Sequence, residues 1–164
     1  AGENSWPILR DAQAAVARRE PNAGLVVLAD LGEADNIHPV DKAPVGRRLA
    51  LLTLETAYGR PVAGHAPQLA GATRQGEKAI LRFAHVAGGL KLAGEPSGLE
   101  LAGTDGNFVP AQAYAVGDTV TLHSQKVPHP AFVRYAWYNF GPARLYGGTG
   151  LPAVPFGATP LISV

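Results

Sequence analysis

A lone strand-like segment constrains this chain more than any other feature. Residues 24–30 read GLVVLAD, a short continuous apolar run. Such runs suit strands covered on both faces, as in a parallel α/β sheet. Ahead of it, Ser5 suits a helix N-cap and Pro7 a first helical turn. Ile8, Leu9, Ala12, Ala15 and Val16 then recur at helical spacing to about Arg19, and Pro21-Asn22 stops the pattern. Behind the run, Pro39 opens a second helical pattern, with Val45, Leu49, Leu52 and Thr56 along one face and Gly59 at its end. A single strand is not a sheet. The N–H and C=O groups along its two edges need neighbours. The first sixty or so residues are therefore expected to complete a sheet whose other strands come from further polypeptide.

The pattern changes near residue 60. Residues 59–68, GRPVAGHAPQ, have turn and linker chemistry. Beyond them the period becomes two: in KAILRFAHV, Ile80, Arg82 and Ala84 alternate with Leu81, Phe83 and His85. NFVPAQAYAV, DTVTLHS and AFVRYAWYNF are further strand candidates, separated by turns at Gly117-Asp118 and Thr104-Asp105-Gly106. The expected organisation is an α/β segment over residues 1–62, then a β-sandwich over residues 66–164.

Composition narrows the functions. Hydrophobic residues make up 46% and charged residues 16%, a globular balance. The formal net charge of +1 shows no basic excess, so nucleic acid is not an expected partner. No apolar run approaches the roughly 20 residues of a bilayer span, so neither is a membrane. The chain has no cysteine, which excludes disulfides and thiolate chemistry. It has no methionine either, so Ala1 is not expected to be a translation start: either processing removed what came before, or this is one piece of a longer protein. His65, His85, His123 and His129 form no metal-binding spacing, and no metal or cofactor is expected.

The chemistry should lie in residues 30–48, DLGEADNIHPVDKAPVGRR. His38 stands between the apolar run and the second helix, where open α/β sheets place their sites. Asp35 lies three residues earlier. A carboxylate at that spacing can fold back onto one imidazole nitrogen and leave the other free to take a proton from a hydroxyl.

This block resembles the final block of the sialate O-acetylesterase-like carbohydrate esterases of the SGNH hydrolase superfamily. The residues that carry the resemblance are Asp30-Leu31-Gly32, Ile37-His38-Pro39, Lys42, Val45-Gly46-Arg47-Arg48-Leu49-Ala50 and Tyr58-Gly59. The upstream Leu9-Arg10 and Gln13 are similar to the family's first helix here. FVRYAWYNFGPARLYGGTGLPAVPF resembles its C-terminal β module. The resemblance implies the end of a flavodoxin-like, three-layer hydrolase domain followed by a β-sandwich module. It implies a Ser–His–Asp hydrolase that removes acetyl groups from sugars, with His38 as general base and Asp35 as its orienting acid. Many relatives carry the acid two residues before the histidine, where this chain has Asn36, so Asp30 and Glu33 stand as alternatives. Relatives also often carry an Arg after Pro-Phe, where this chain has Gly157.

The nucleophile is not recognisable. Ser5, Ser97, Ser124 and Ser163 are the four serines, and none has the setting such a hydrolase needs. The serine and its oxyanion donors are expected on an upstream segment, a second polypeptide that stays associated, and this chain alone is expected to be inactive. Polysaccharide substrates imply secretion or a periplasmic location. The alternative is a non-catalytic carbohydrate-binding or structural β-sandwich module, which leaves the αβα segment unexplained.

Overall fold

The computed structural model describes residues 5–38 and 40–163 and is a mixed α and β structure. Two helices come first, α1 (Ser5–Arg19) and α2 (Ala43–Thr56). The strands follow: β1 (Gln68–Gln75), β2 (Lys78–Ala84), β3 (Leu90–Leu92), β4 (Leu99–Ala102), β5 (Val109–Pro110), β6 (Gln112–Val116), β7 (Thr119–His123), β8 (Phe132–Tyr135), β9 (Leu145–Gly147), β10 (Phe156–Pro160) and β11 (Ile162–Ser163). They form three sheets, ordered β11-β1-β2-β7-β6, β10-β8-β4-β5 and β3-β9. The β1–β2 and β2–β7 ladders are antiparallel, and β11 joins the edge of β1 in parallel.

Alternation along β2 sends Ala79, Leu81 and Phe83 inward, where they meet Val120 and Leu122 of β7 and Leu99, Leu101, Val133 and Tyr135 of the second sheet. Leu90 and Leu145 of the two-stranded sheet belong to the same core. Phe156 ties β10 to it, with its ring 5.9 Å from Tyr135 and 6.4 Å from Phe83.

Three expectations from sequence differ from the structure. Residues 24–30 form no strand: among the described residues they have no ladder partner, and a strand needs a neighbour to take its backbone hydrogen bonds. The second helix begins at Ala43, with Pro44 in its first turn. Pro39, expected to open it, lies outside the described residues. Ser5 is itself helical, so it does not stand before the helix as a cap.

The helix faces are informative. The stripe expected to bury on α1 points to solvent instead, with Ile8 62%, Leu9 48% and Val16 56% exposed. The opposite face, Pro7 and Ala14, is the buried one. It lies toward the β region, where Trp6 N–H donates to Asn139 Oδ1 and the Arg10 guanidinium donates to the carbonyls of Ala136 and Tyr138. On α2, Leu52 is buried while Leu49 and Leu54 are exposed. After α2 the chain folds back tightly. A Cβ on Gly64 would come within 2.4–2.6 Å of backbone atoms of Leu51 and Leu52, so only glycine fits. No helix among the described residues is long and apolar enough to cross a membrane.

Candidate active site

The loop that carries His38 is shaped by two neighbours. Leu31 N–H donates to Leu28 O and turns the chain at the end of the apolar run. Glu33 then acts as a two-pronged acceptor: Oε1 takes Val40 N–H at 3.0 Å and Oε2 takes the Asn36 amide at 3.0 Å. Asn36 grips His38 through its backbone. Its Oδ1 accepts His38 N–H at 2.9 Å, and its Nδ2 donates to His38 O at 3.0 Å. The Val40 N–H, then the Asn36 amide, hold the Glu33 carboxyl below its ordinary range. The result is a short hairpin-like turn with a Glu33–Asn36 bridge and a histidine at its far end.

His38 and Asp35 are both exposed on this loop. Among the described residues, no hydrogen bond joins the Asp35 carboxylate to the His38 imidazole. The other two acids are committed elsewhere. Glu33 builds the loop. Asp30 is held by Arg48 through two parallel bonds, Nη1 to Oδ1 at 2.8 Å and Nη2 to Oδ2 at 2.7 Å. Arg48 also donates to Val27 O at 2.7 Å, and the Tyr146 hydroxyl lies 3.4 Å from Asp30 Oδ2. Both charged side chains of this pair are about nine-tenths buried, at 10% and 11% relative exposure. The bidentate geometry is the strong form of the Arg–carboxylate contact. It ties α2, the base of the His38 loop and β9 together.

Burial, then the nearby Asp30 charge, pushes the Tyr146 hydroxyl above its ordinary pKa, so it stays protonated and can donate. Arg48 and Tyr146 both fall inside the segments quoted for the resemblance, but nothing in their spacing announces that they meet on Asp30. Beside the loop, a cleft of about 560 Å³ opens between the start of α2 and the turn after β9, lined by Asp41, Pro44, Arg47, Leu51, Thr149 and Gly150.

The remaining histidines lie elsewhere. His65 Nδ1 is 2.8 Å from Glu55 Oε2, and its ring stacks on His85 with centroids 4.9 Å apart. His123 lies 4.0 Å from Glu77. Among the described residues no group of three or more His, Cys, Asp or Glu could hold a metal ion. Ser97 is buried, with its Oγ accepting Leu99 N–H at 3.3 Å, and Ser124 is also buried. Ser163 bonds to Arg74 at the sheet edge.

No family model matches the sequence. No curated protein matches it either. Among solved structures, the chain is similar to a carbohydrate acetylesterase from Xanthomonas citri, at 36% sequence identity and a TM-score of 0.85 over 92% of this chain. It spans about a third of that protein's length, 35%.

Proposed function

We propose that this chain is the C-terminal part of a serine carbohydrate esterase of the SGNH hydrolase superfamily, one that removes O-acetyl groups from sugars. On this reading residues 1–62 end the hydrolase domain and residues 66–164 form a β-sandwich module. The observation that carries the carbohydrate esterase class is the 36% identity to a carbohydrate acetylesterase over nearly the whole chain; the SGNH assignment and the C-terminal placement rest on the motif resemblance. The uncovered apolar stripe of α1 and the unladdered run at residues 24–30 support an upstream polypeptide packed against both.

In this mechanism the upstream segment supplies the serine. Its Oγ attacks the acetyl carbonyl as His38 takes the hydroxyl proton, and the proton passes to the departing sugar oxygen. Water then enters by the same route, releasing acetate and restoring serine. Asp35 is the acid with a carboxylate left to orient His38, since Asp30 is bonded to Arg48 and Glu33 to the loop. The polymeric substrate fits an exported protein.

The test is acetate release from acetylated oligosaccharides by this chain bound to its upstream segment. His38→Ala should lower turnover by about 10²–10⁴-fold while the assembly stays intact. Asp35→Ala should lower it substantially, and Asp30→Asn should act mainly through stability. Undiminished release by the His38 variant rules the mechanism out. The isolated chain should release none.

A further inference from the structure

Trp137 occupies an unusual place. The sequence suggests a strand running through AFVRYAWYNF, yet β8 stops at Tyr135. Ala136, buried, adopts a left-handed backbone with φ 48°, which non-glycine residues rarely take. Its N–H still donates to Gly98 O and its carbonyl accepts from Arg10, so the surroundings hold this conformation. Strain of this kind persists where neighbours over-determine it, and it concentrates at ligand sites. Here it takes the chain out of the ladder just before the indole, which lines an open groove instead of closing the core.

That groove has a volume of about 430 Å³ and runs between α1 and β10. Asp11, Arg18 and Gln68 line it together with Trp137 and Gly157. Asp11 and Arg18 lie two turns apart on one face of α1. Among the described residues, neither side chain is engaged in a hydrogen bond or ion pair, and neither is that of Gln68. Gly157 lets the indole lie flat on the β10 backbone. A Cβ there would stand 3.0–3.2 Å from three atoms of the six-membered ring.

We propose that this groove binds a carbohydrate chain, separately from the His38 loop. An indole offers a flat apolar surface to the C–H face of a pyranose. A carboxylate, a guanidinium and a primary amide beside it supply acceptors and donors for ring hydroxyls, the balance of one apolar surface and a few directed polar groups that ligand sites show. The choice of ligand class rests on the esterase reading; the groove itself does not.

The test uses fluorescence and calorimetry on this chain. The sequence has two tryptophans, so a Trp6→Phe background leaves Trp137 as the sole indole reporter. The probes are xylohexaose, a xyloglucan oligosaccharide and sialyllactose. At least one should shift Trp137 emission saturably. In calorimetry, Trp137→Ala should weaken binding of that probe about tenfold or more. Asp11→Asn and Arg18→Gln lie at exposed positions of α1 and should each weaken it without altering the fold, which covers the case in which the tryptophan variant does not fold. Gly157→Val should weaken it by displacing the ring. Absence of binding by all three probes, or undiminished binding in Asp11→Asn and Arg18→Gln together, overturns the proposal. His38→Ala should leave this binding unchanged, and the groove variants should leave turnover of a small aryl acetate by the assembled protein unchanged. Failure of one reading is thereby distinguished from failure of the other.

Discussion

The Arg48–Asp30 pair is the largest electrostatic commitment beside the His38 loop. Both side chains are desolvated, and each guanidinium nitrogen that faces the carboxylate is bonded to it. Removing one partner leaves a buried charge uncompensated, which typically costs about 3–5 kcal/mol. Arg48→Ala should therefore lower unfolding stability by that order in urea denaturation, with Val27 O also left bare. Tyr146→Phe removes only a long hydroxyl contact and should cost about 1 kcal/mol or less. Asn36 is the smaller counterpart on the loop. Asn36→Ala frees both backbone groups of His38 and should reduce acetate release by the assembled protein while changing melting temperature little, because the loop is solvent-exposed.

Helix α2 and the segment that returns from it make a second unit with its own pH response. Glu55 on α2 accepts Gly64 N–H at 2.7 Å, His65 N–H at 3.0 Å and the His65 ring at 2.8 Å. Partial burial works against its ionised form, but these bonds outweigh it and hold the carboxyl below its ordinary value of 4.5. A carboxylate with a lowered folded pKa stabilises the fold above its unfolded value, and that stability is lost as pH falls through the folded one. Melting temperature should thus fall less between pH 6 and about pH 3 in Glu55→Gln than in the parent chain. Gly64→Ala should destabilise by about 1–3 kcal/mol, since α2 backbone must move to admit the methyl.

At this same scale the sequence was readable in part. Period-two alternation located β2 and β7 because one face of each is fully buried. The short β3 and β9 carry too few residues for a period to show, β10 has no fully buried face to set one, and the left-handed Ala136 breaks a pattern that otherwise reads as one long strand. Residues 24–30 have the composition of a strand, but composition does not supply the neighbours that make one. In the candidate loop, the place of His38 ahead of a helix is readable from sequence. The partners of Asp30 did not, because Arg48 and Tyr146 reach it across 18 and 116 residues of sequence.

For the molecule as a whole, the proposed reading has an upstream segment cover the exposed stripe Ile8, Leu9 and Val16 and the unladdered residues 24–30. Leu9→Asp with Val16→Asp should leave this chain's own melting temperature nearly unchanged, as both positions are solvated in it. The same pair should abolish co-purification with the upstream segment. If assembly survives both charges, the packing surface lies elsewhere. The most direct test of the catalytic account is a crystal structure of the assembled protein after its serine has been trapped by a phosphonate acetyl mimic. The account predicts a ring nitrogen of His38 within about 2.6–3.2 Å of that serine oxygen, with Asp35 at the other nitrogen. A trapped serine with a different histidine beside it, or with His38 remote from it, would contradict the account.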